Sequence, residues 1–221
     1  MPKTDQASQQ LGTEHHTIMQ QSLAVFRNQL RRVLAYSFPQ RSDVRPFVCE
    51  GSPMSCDVFL VGFNPARSGT ASFWSYWLSG YGFNKTRWLA HYKARRKPSP
   101  TRERIERVVA GLRPFKCLET NIYAVPTRKA TALASTDRIN EPLKFLIATL
   151  KPTVILVHGK YATILLQLLM RIPSLPKDRF VKASTSLGST WICSMSHLSR
   201  VSYRDASQLG VKARQILSSS R

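Results

Sequence analysis

Acidic residues are scarce in this sequence of 221 residues. It contains 12 Asp and Glu against 33 Lys and Arg, which gives a formal net charge of +21 although charged residues make up an ordinary 20% of the chain. A positive electrostatic field favours a polyanion as partner, because each basic side chain that contacts a phosphate releases condensed counterions. Nucleic acid is therefore the leading expected partner, and an anionic membrane surface is the weaker alternative.

Long apolar runs and cysteine motifs are also missing. No stretch reaches the roughly twenty apolar residues that a membrane-crossing helix needs. Residues 1–16 have neither a hydrophobic signal core nor an Arg-rich amphipathic face. The four cysteines form no C-x-x-C pair, which disfavours a zinc site or an iron–sulfur cluster. We therefore expect a cytoplasmic chain without a metal and without a membrane segment.

Apolar runs of strand length alternate with helical periods along the chain. Strands are predicted for residues 57–62, 119–125, 153–158 and 190–194, and helices for residues 101–112, 137–150, 160–170 and 203–217. A first helix is predicted from Thr17 to just before Pro39. The alternation predicts one three-layer α/β/α domain over residues 17–217, built on a central, mostly parallel four-stranded sheet. Residues 1–16 are expected to be disordered or loosely held.

Polar loops follow the predicted strands at the carboxyl edge of the sheet, where ligands bind in such folds. Asn64 can orient a water molecule, and Asn121 offers the donor and acceptor that complement a pyrimidine edge. Residues 194–200 (SMSHLSR) combine hydroxyls suited to phosphate with a leucine suited to insertion into a base stack. Taken singly, each loop also fits a plain structural turn, and His158 alone fits a structural role.

Taken together, the loops resemble the uracil-DNA glycosylase superfamily. Residues 62–66 (GFNPA) resemble its first motif, Gly-x-Asn-Pro-Gly, and residues 196–200 (SHLSR) are similar to the second motif of the mismatch-specific uracil/thymine branch, Asn-Pro-Ser-Gly-Leu-Ser-Arg. Residues 120–126 (TNIYAVP) and 154–162 (VILVHGKYA) resemble the strands between these motifs. The resemblance covers residues 57–202, and it implies the uracil-DNA glycosylase-like fold.

The resemblance implies a DNA-repair enzyme that everts a nucleotide and hydrolyses the bond between base and deoxyribose, without a metal or other cofactor. It implies that Asn64 presents the water, that Asn121 reads the base edge and that Leu198 fills the gap in the base stack. Phe73 or Trp74 is expected to stack on the base, although both equally fit a helix core. Further substrate contacts are expected from Gly62, Phe63, Pro65 and Ser196, and DNA contacts from Arg67, Ser199 and Arg200.

The second motif departs from the family pattern at the residue that stabilises the departing base anion. Ser194 stands where family members have His or Asn, Met195 stands where they have Pro, and His197 comes three places later. Ser194 is expected to supply a weaker, neutral hydrogen bond unless His197 swings in, so both are catalytic candidates. With an amide and no carboxylate beside the water, a slow enzyme is expected. A non-catalytic nucleic-acid-binding relative and an RNA-binding factor remain as alternatives.

A strongly basic segment covers residues 85–116, with eleven basic and two acidic residues. Trp88 and Tyr92 lie among the cations, a composition that suits a surface that tracks phosphates and stacks on bases. A solvated helix face also fits this pattern. The segment is predicted to be an insertion around the glycosylase-like core of a nucleoid-associated monomer that binds single- or double-stranded DNA. DNA contacts are expected from Lys93, Arg95, Arg96 and Lys97.

Overall fold

The computed structural model describes residues 4–66, 71–185 and 188–219. Helices and strands alternate over most of this range, as the hydrophobic pattern predicts. The helices are α1 (Thr4–Ser37), α2 (Lys85–Arg95), α3 (Pro100–Leu112), α4 (Glu141–Leu150), α5 (Lys160–Met170) and α6 (Tyr203–Ser219). The strands are β1 (Phe47–Val48), β2 (Glu50–Gly51), β3 (Cys56–Gly62), β4 (Trp77–Leu78), β5 (Gly82–Asn84), β6 (Lys116–Asn121), β7 (Val154–His158), β8 (Phe180–Thr185) and β9 (Gly188–Met195).

The main sheet has six strands in the order β1-β6-β3-β7-β9-β8. Its four inner strands are parallel and correspond to the four predicted strands, whereas β1 and β8 pair antiparallel at the edges. The α/β class is confirmed, but the prediction of a four-stranded, mostly parallel sheet is wrong, because the sheet is mixed and has six strands. β1 has only two residues and β8 (FVKAST) has polar residues at three of its six positions, so neither shows the continuous apolar run of a central strand.

Helices cover both faces of the main sheet. On one face, α1, α4 and α5 pack on the sheet together with an aromatic cluster, and on the other face α3 and α6 do so. α1 buries Leu23, Phe26, Leu30 and Leu34 at helical spacing, and it begins at Thr4 rather than at the predicted Thr17. None of the helices in the described ranges is long and apolar enough to cross a membrane.

The basic segment contributes a helix to the core. α3 buries Ile105, Val108 and Leu112 against the sheet. It packs so closely on α6 that a Cβ atom added at Gly210 would lie 2.2 Å from the backbone oxygen of Val108. Ordinary side chains cannot be accommodated at that distance, so glycine at this crossing sets the spacing of the two helices. Only part of residues 85–116 therefore forms the molecular surface.

The strand register brings three residues into one row at the carboxyl edge. Gly62 pairs with Asn121 on β6, and Val61 pairs with Val157 on β7, which puts His158 beside Gly62. Alternation along each strand turns these three residues to the sheet face that carries α3 and α6. β6 ends at Asn121, earlier than predicted, so Asn121 stands at the rim of the sheet.

Candidate active-site cleft

A cleft of about 690 Å³ opens at the carboxyl edge of the main sheet. Its walls come from the segments that follow β3, β6, β7 and β9, and its volume is within the usual range for small-molecule sites. Eight of the predicted site residues line it, which are Phe63, Asn64, Pro65, Arg96, Asn121, His197, Ser199 and Arg200.

Two polar side chains close over Gly62 at the carboxyl edge of the sheet. A Cβ atom at this position would lie 2.7 Å from Oδ1 of Asn121 and 3.1 Å from Nε2 of His158. The two polar atoms therefore occupy the space above the glycine. Asn121 and His158 line the cleft, whereas Gly62, a predicted substrate contact, does not. Gly62 contributes by leaving room for these two side chains above the strand.

His197 lies above the β7–α5 junction with a defined tautomer. Its Nδ1 accepts a hydrogen bond from the Ser199 backbone N–H at 3.2 Å and contacts Ser199 Oγ at 2.7 Å. Because the backbone N–H can only donate, Nδ1 carries no proton and the neutral ring has its proton on Nε2. Gly159, with φ of 92°, leaves room for the ring, since a Cβ atom there would lie 3.4 Å from Cδ2 of His197.

The two imidazoles of the cleft meet edge to face, with ring centroids 5.2 Å apart. Burial, with a smaller contribution from His197, lowers the pKa of His158 to about 3. Burial and the charge of Arg200 lower the pKa of His197 as well. Both rings are therefore neutral near pH 7 and act as hydrogen-bonding groups. Nδ1 of His158 is buried and has no hydrogen-bond partner within the described residues.

Asn64 is held by the loop that follows β6. Its Nδ2 donates to Oγ1 of Thr127 at 2.6 Å, and that hydroxyl donates to the Lys129 carbonyl at 2.7 Å. The two loops also share backbone hydrogen bonds, including one from the Thr127 N–H to the Pro65 carbonyl at 3.0 Å. Because the amide nitrogen is occupied, Oδ1 of Asn64 is the atom that can accept a hydrogen bond from a water molecule.

Phe73 and Trp74, which the sequence predicted to stack on a base, do not line the cleft, whose aromatic lining residues are Phe47, Phe63, Trp88, Tyr92 and Tyr161. Phe63 packs edge to face on Tyr123 with centroids 5.3 Å apart. Phe73 is 4% exposed and stacks on Phe83 with centroids 5.1 Å apart in the aromatic cluster of the core. Trp74 packs against Phe73 and does not line the cleft. Serine at position 72 starts a short 3₁₀ turn that directs both rings inward.

Ser194 lies outside the cleft, contrary to its prediction as a catalytic residue. Its hydroxyl is buried and donates to the carbonyls of Leu175 and Pro176 at 3.2 and 3.1 Å. In β9 the residue in register with His158 is Met195, and strand alternation turns Ser194 to the opposite face of the sheet. Of the two catalytic candidates in this segment, only His197 reaches the cleft. Ser196, a predicted substrate contact, does not line it either.

Leu198 is fully buried, so the expectation that it projects as a wedge is wrong. Its exposed fraction is 0%, and it packs in the core layer that α3 and α6 form. A short 3₁₀ turn over Leu198–Arg200 points the leucine inward and leaves Ser199 and Arg200, the two residues that follow it, at the cleft. The apolar residue of the loop therefore anchors the loop to the protein.

The lining of the cleft is strongly cationic. Among the described residues its single carboxylate is Glu119, which pairs with Lys85 at 2.6 Å and with Arg102 at 2.5 Å. Although burial raises the pKa of Glu119, Arg102 and Lys85 outweigh that effect and hold the pKa below its ordinary value. The carboxylate is thus ionised, and the positive charges of Lys85 and Arg102 balance it. The basic residues that line the cleft are Arg45, Arg96, Arg102, Arg128, Lys160 and Arg200.

The other predicted DNA contacts lie away from the cleft or cannot be placed. Lys93, Arg95 and Lys97 are exposed on and after α2, and they do not line the cleft. Arg67 lies outside the described residues. The predictions missed several residues that line the cleft, among them His158, Arg45, Arg102, Arg128 and Lys160. The position of His158 at the end of an apolar strand, before Gly159, could have identified it, whereas nothing in the sequence around Arg45 distinguishes it.

Comparison with known proteins adds no relative: no family model matches this chain, and neither does any curated protein. The described residues contain no cluster of three or more His, Cys, Asp or Glu side chains that could hold a metal ion. The functional groups that line the cleft are amides, imidazoles, hydroxyls, aromatic rings and cations, together with the carboxylate of Glu119.

Proposed function

We propose that this chain is a DNA-repair glycosylase that everts uracil, or a related deaminated or mispaired base, and hydrolyses its bond to deoxyribose. The supporting observation is the meeting of Asn64, Asn121 and His197 in one cationic cleft, although they come from three segments that are distant in sequence. These residues lie at the carboxyl ends of parallel strands, where α/β sheets bind their ligands.

Recognition of the base falls to Asn121 and to the aromatic ring of Phe63, which both line the cleft. Asn121 offers a donor and an acceptor to the edge of a uracil, and a cytosine edge leaves buried groups unpaired at about 1–3 kcal/mol each. Phe63 supplies an aromatic edge or face to the ring of the base. The stacking role that the sequence suggested for Phe73 or Trp74 thus passes to Phe63.

Stabilisation of the departing base anion falls to His197. A neutral imidazole with its proton on Nε2 is a hydrogen-bond donor, and Nδ1 is already engaged by Ser199. A donor held in advance at the place where charge develops is the main means of acceleration for such a reaction. The lowered pKa of His197 keeps the ring in this neutral state at physiological pH. His197 therefore takes the role that the motif alignment had put at Ser194.

Asn64 orients the attacking water through Oδ1. An amide does not remove a proton from the water, so most of the acceleration must come from the stabilised leaving group, and slow turnover is expected. Ser199, Arg200 and the other cations along the cleft bind the phosphates of the strand. No metal or organic cofactor takes part in this scheme.

The test is excision from oligonucleotides that carry one uracil, hypoxanthine or G·T mismatch, detected as strand cleavage at the abasic site after alkali. His197→Ala should lower the rate by about 10²–10³-fold, the usual cost of removing one such donor. Ser194→Ala is the matched control and should keep the wild-type rate. If the two variants lose activity equally, the assignment of His197 is wrong.

A non-catalytic nucleic-acid-binding protein is the second candidate. It is favoured by the lack of an unpaired carboxylate on the cleft lining within the described residues, because a hydrolase commonly uses one to activate water. Tight binding of the same oligonucleotides without any abasic product would support this candidate and contradict the glycosylase.

A further inference from the structure

Eversion of a base leaves a gap in the base stack, and none of the residues assigned so far fills it. Leu198, the residue predicted for this place, is 0% exposed and packs in the core layer of α3 and α6. A side chain that enters a base stack must be large, apolar or aromatic, exposed, and at the rim of the cleft that holds the everted base. These four properties together define the missing residue.

Tyr161 has all four properties. It is 70% exposed and it lines the cleft. The large hydrophobic residues that are exposed in the described part of the chain are Val25, Tyr36, Met54, Leu78, Tyr81, Tyr161, Ile164, Leu168 and Tyr203. Of this set, Tyr161 alone lines the cleft. The structure therefore offers a single residue of this kind at the rim.

The junction between β7 and α5 holds Tyr161 outward. Gly159, with φ of 92°, turns the chain at the end of the strand, and α5 begins at the next residue. Ala162, Leu166 and Met170 form the buried side of α5 at a spacing of four residues. Tyr161 lies one residue before this series, so the helix turns it away from the core. A tyrosine on a helix has few torsions to fix, so it loses little conformational entropy on contact.

The ring of Tyr161 lies close to the place that the proposed function gives to the base. Its centroid is 6.2 Å from that of Phe63, and the two ring planes are inclined by 59°. Lys160 and Arg200 are exposed cations that line the same cleft. The rim thus presents an aromatic ring to the bases of a strand and positive charge to its phosphates.

We propose that Tyr161 fills the gap in the stack by placing its ring on the base next to the everted one. Every base has an aromatic face, so the contact tolerates any neighbouring sequence. It stabilises the everted state against return of the base, which matters most in a duplex, where stacking and pairing both oppose eversion. This inference rests on the proposed function for the eversion of a base.

The test is the affinity of the full chain for oligonucleotides with one 2′-fluorodeoxyuridine, whose glycosidic bond resists cleavage because fluorine destabilises the sugar cation. This nucleotide is placed in a single strand, in a duplex opposite guanine, and in a duplex opposite a pyrene nucleotide. The large ring system of pyrene fills the gap in the stack by itself. Dissociation constants are measured for the wild-type protein, for Tyr161→Ala and for Tyr161→Phe, which keeps the aromatic ring.

The matched control is Leu168→Ala. Leu168 is 71% exposed, lies seven residues or about two helical turns after Tyr161 on α5, and does not line the cleft. The control therefore reports any effect of the exposed apolar side of α5 that is unrelated to the cleft. Both side chains are exposed, so neither substitution by alanine opens a cavity in the core.

Tyr161→Ala should bind the duplex opposite guanine about fivefold to a hundredfold more weakly than the wild type, the cost of one lost stack of a base on an aromatic ring. Its affinity for the single strand and for the pyrene duplex should change much less. Tyr161→Phe and Leu168→Ala should bind all three oligonucleotides as the wild type does. An equal loss on single strand and duplex, no loss on the duplex, or the same loss in Leu168→Ala overturns the inference.

Excision by the wild-type protein is measured separately on unmodified uracil strands. A loss confined to the guanine duplex in Tyr161→Ala, without any excision by the wild type, supports the role of Tyr161 and contradicts the glycosylase. Excision by the wild type, together with an unchanged duplex affinity in Tyr161→Ala, does the reverse.

Discussion

Replacing Gly62 by alanine should damage the site while leaving the fold almost intact. The added Cβ atom would lie 2.7 Å from Oδ1 of Asn121 and 3.1 Å from Nε2 of His158, whereas ordinary contacts begin at 3.4 Å. Gly62 has no positive φ, so alanine is compatible with its backbone conformation. The whole perturbation therefore falls on two side-chain ends that line the cleft.

The expected magnitudes differ strongly between stability and activity. Overfilling a packed site costs about 1–3 kcal/mol, and Gly62→Ala should lie near the lower limit because side-chain ends can move aside. Asn121 must retreat by several tenths of an ångström to reach the 3.4 Å of an ordinary contact. A misplacement on the order of 1 Å can lower a catalytic rate by about a hundredfold. We therefore expect a rate loss between about tenfold and a hundredfold.

The matched control is Gly210→Ala, at the crossing of α3 and α6. Its Cβ atom would meet the backbone oxygen of Val108 at 2.2 Å, and a backbone atom cannot move aside without shifting a helix. Gly210→Ala should therefore lower the free energy of unfolding, measured by urea denaturation, by more than Gly62→Ala does. Excision of uracil by Gly62→Ala at the wild-type rate, or a stability as low as that of the control, contradicts this prediction.

Three further predictions concern residues around the cleft. Because burial lowers the pKa of His158 to about 3, the unfolded chain binds an extra proton below about pH 6.5. The free energy of unfolding should thus fall on acidification from about pH 6.5 towards pH 3, by up to about 1.4 kcal/mol per pH unit. His158→Gln should reduce this dependence on pH when unfolding is measured at pH 7 and pH 5. Leu198→Ala should cost about 2–5 kcal/mol of stability by opening a cavity, and equal excision losses on single-stranded and duplex DNA, after correction for the folded fraction, would agree with its burial. Ser194→Ala should cost about 1 kcal/mol through its lost hydrogen bonds to two carbonyls, and a thermal melt that matches the wild type would contradict that role.

Local patterns in the sequence determined the class of the fold and the edge of the sheet that carries the cleft. Continuous apolar runs marked the four inner strands, because a strand buried on both faces must be apolar at every position. Polar loops after those strands indicated where Asn64 and Asn121 would lie, since the ends of parallel strands share one edge. The edge strands escaped prediction because a run of two residues, or one that is half polar, carries too little signal.

Only the tertiary structure decided which side chains of those loops enter the cleft. Ser194 and His197 are three residues apart, and the parity of β9 together with the turn after it puts the first in the interior and the second at the cleft. Leu198 and Phe73 are residue types that suit a ligand site, yet helices and strands distant in sequence bury both. Arg45 reaches the cleft from a segment without any motif. Burial and orientation depend on contacts between distant segments, and such contacts leave no periodic trace in the local sequence.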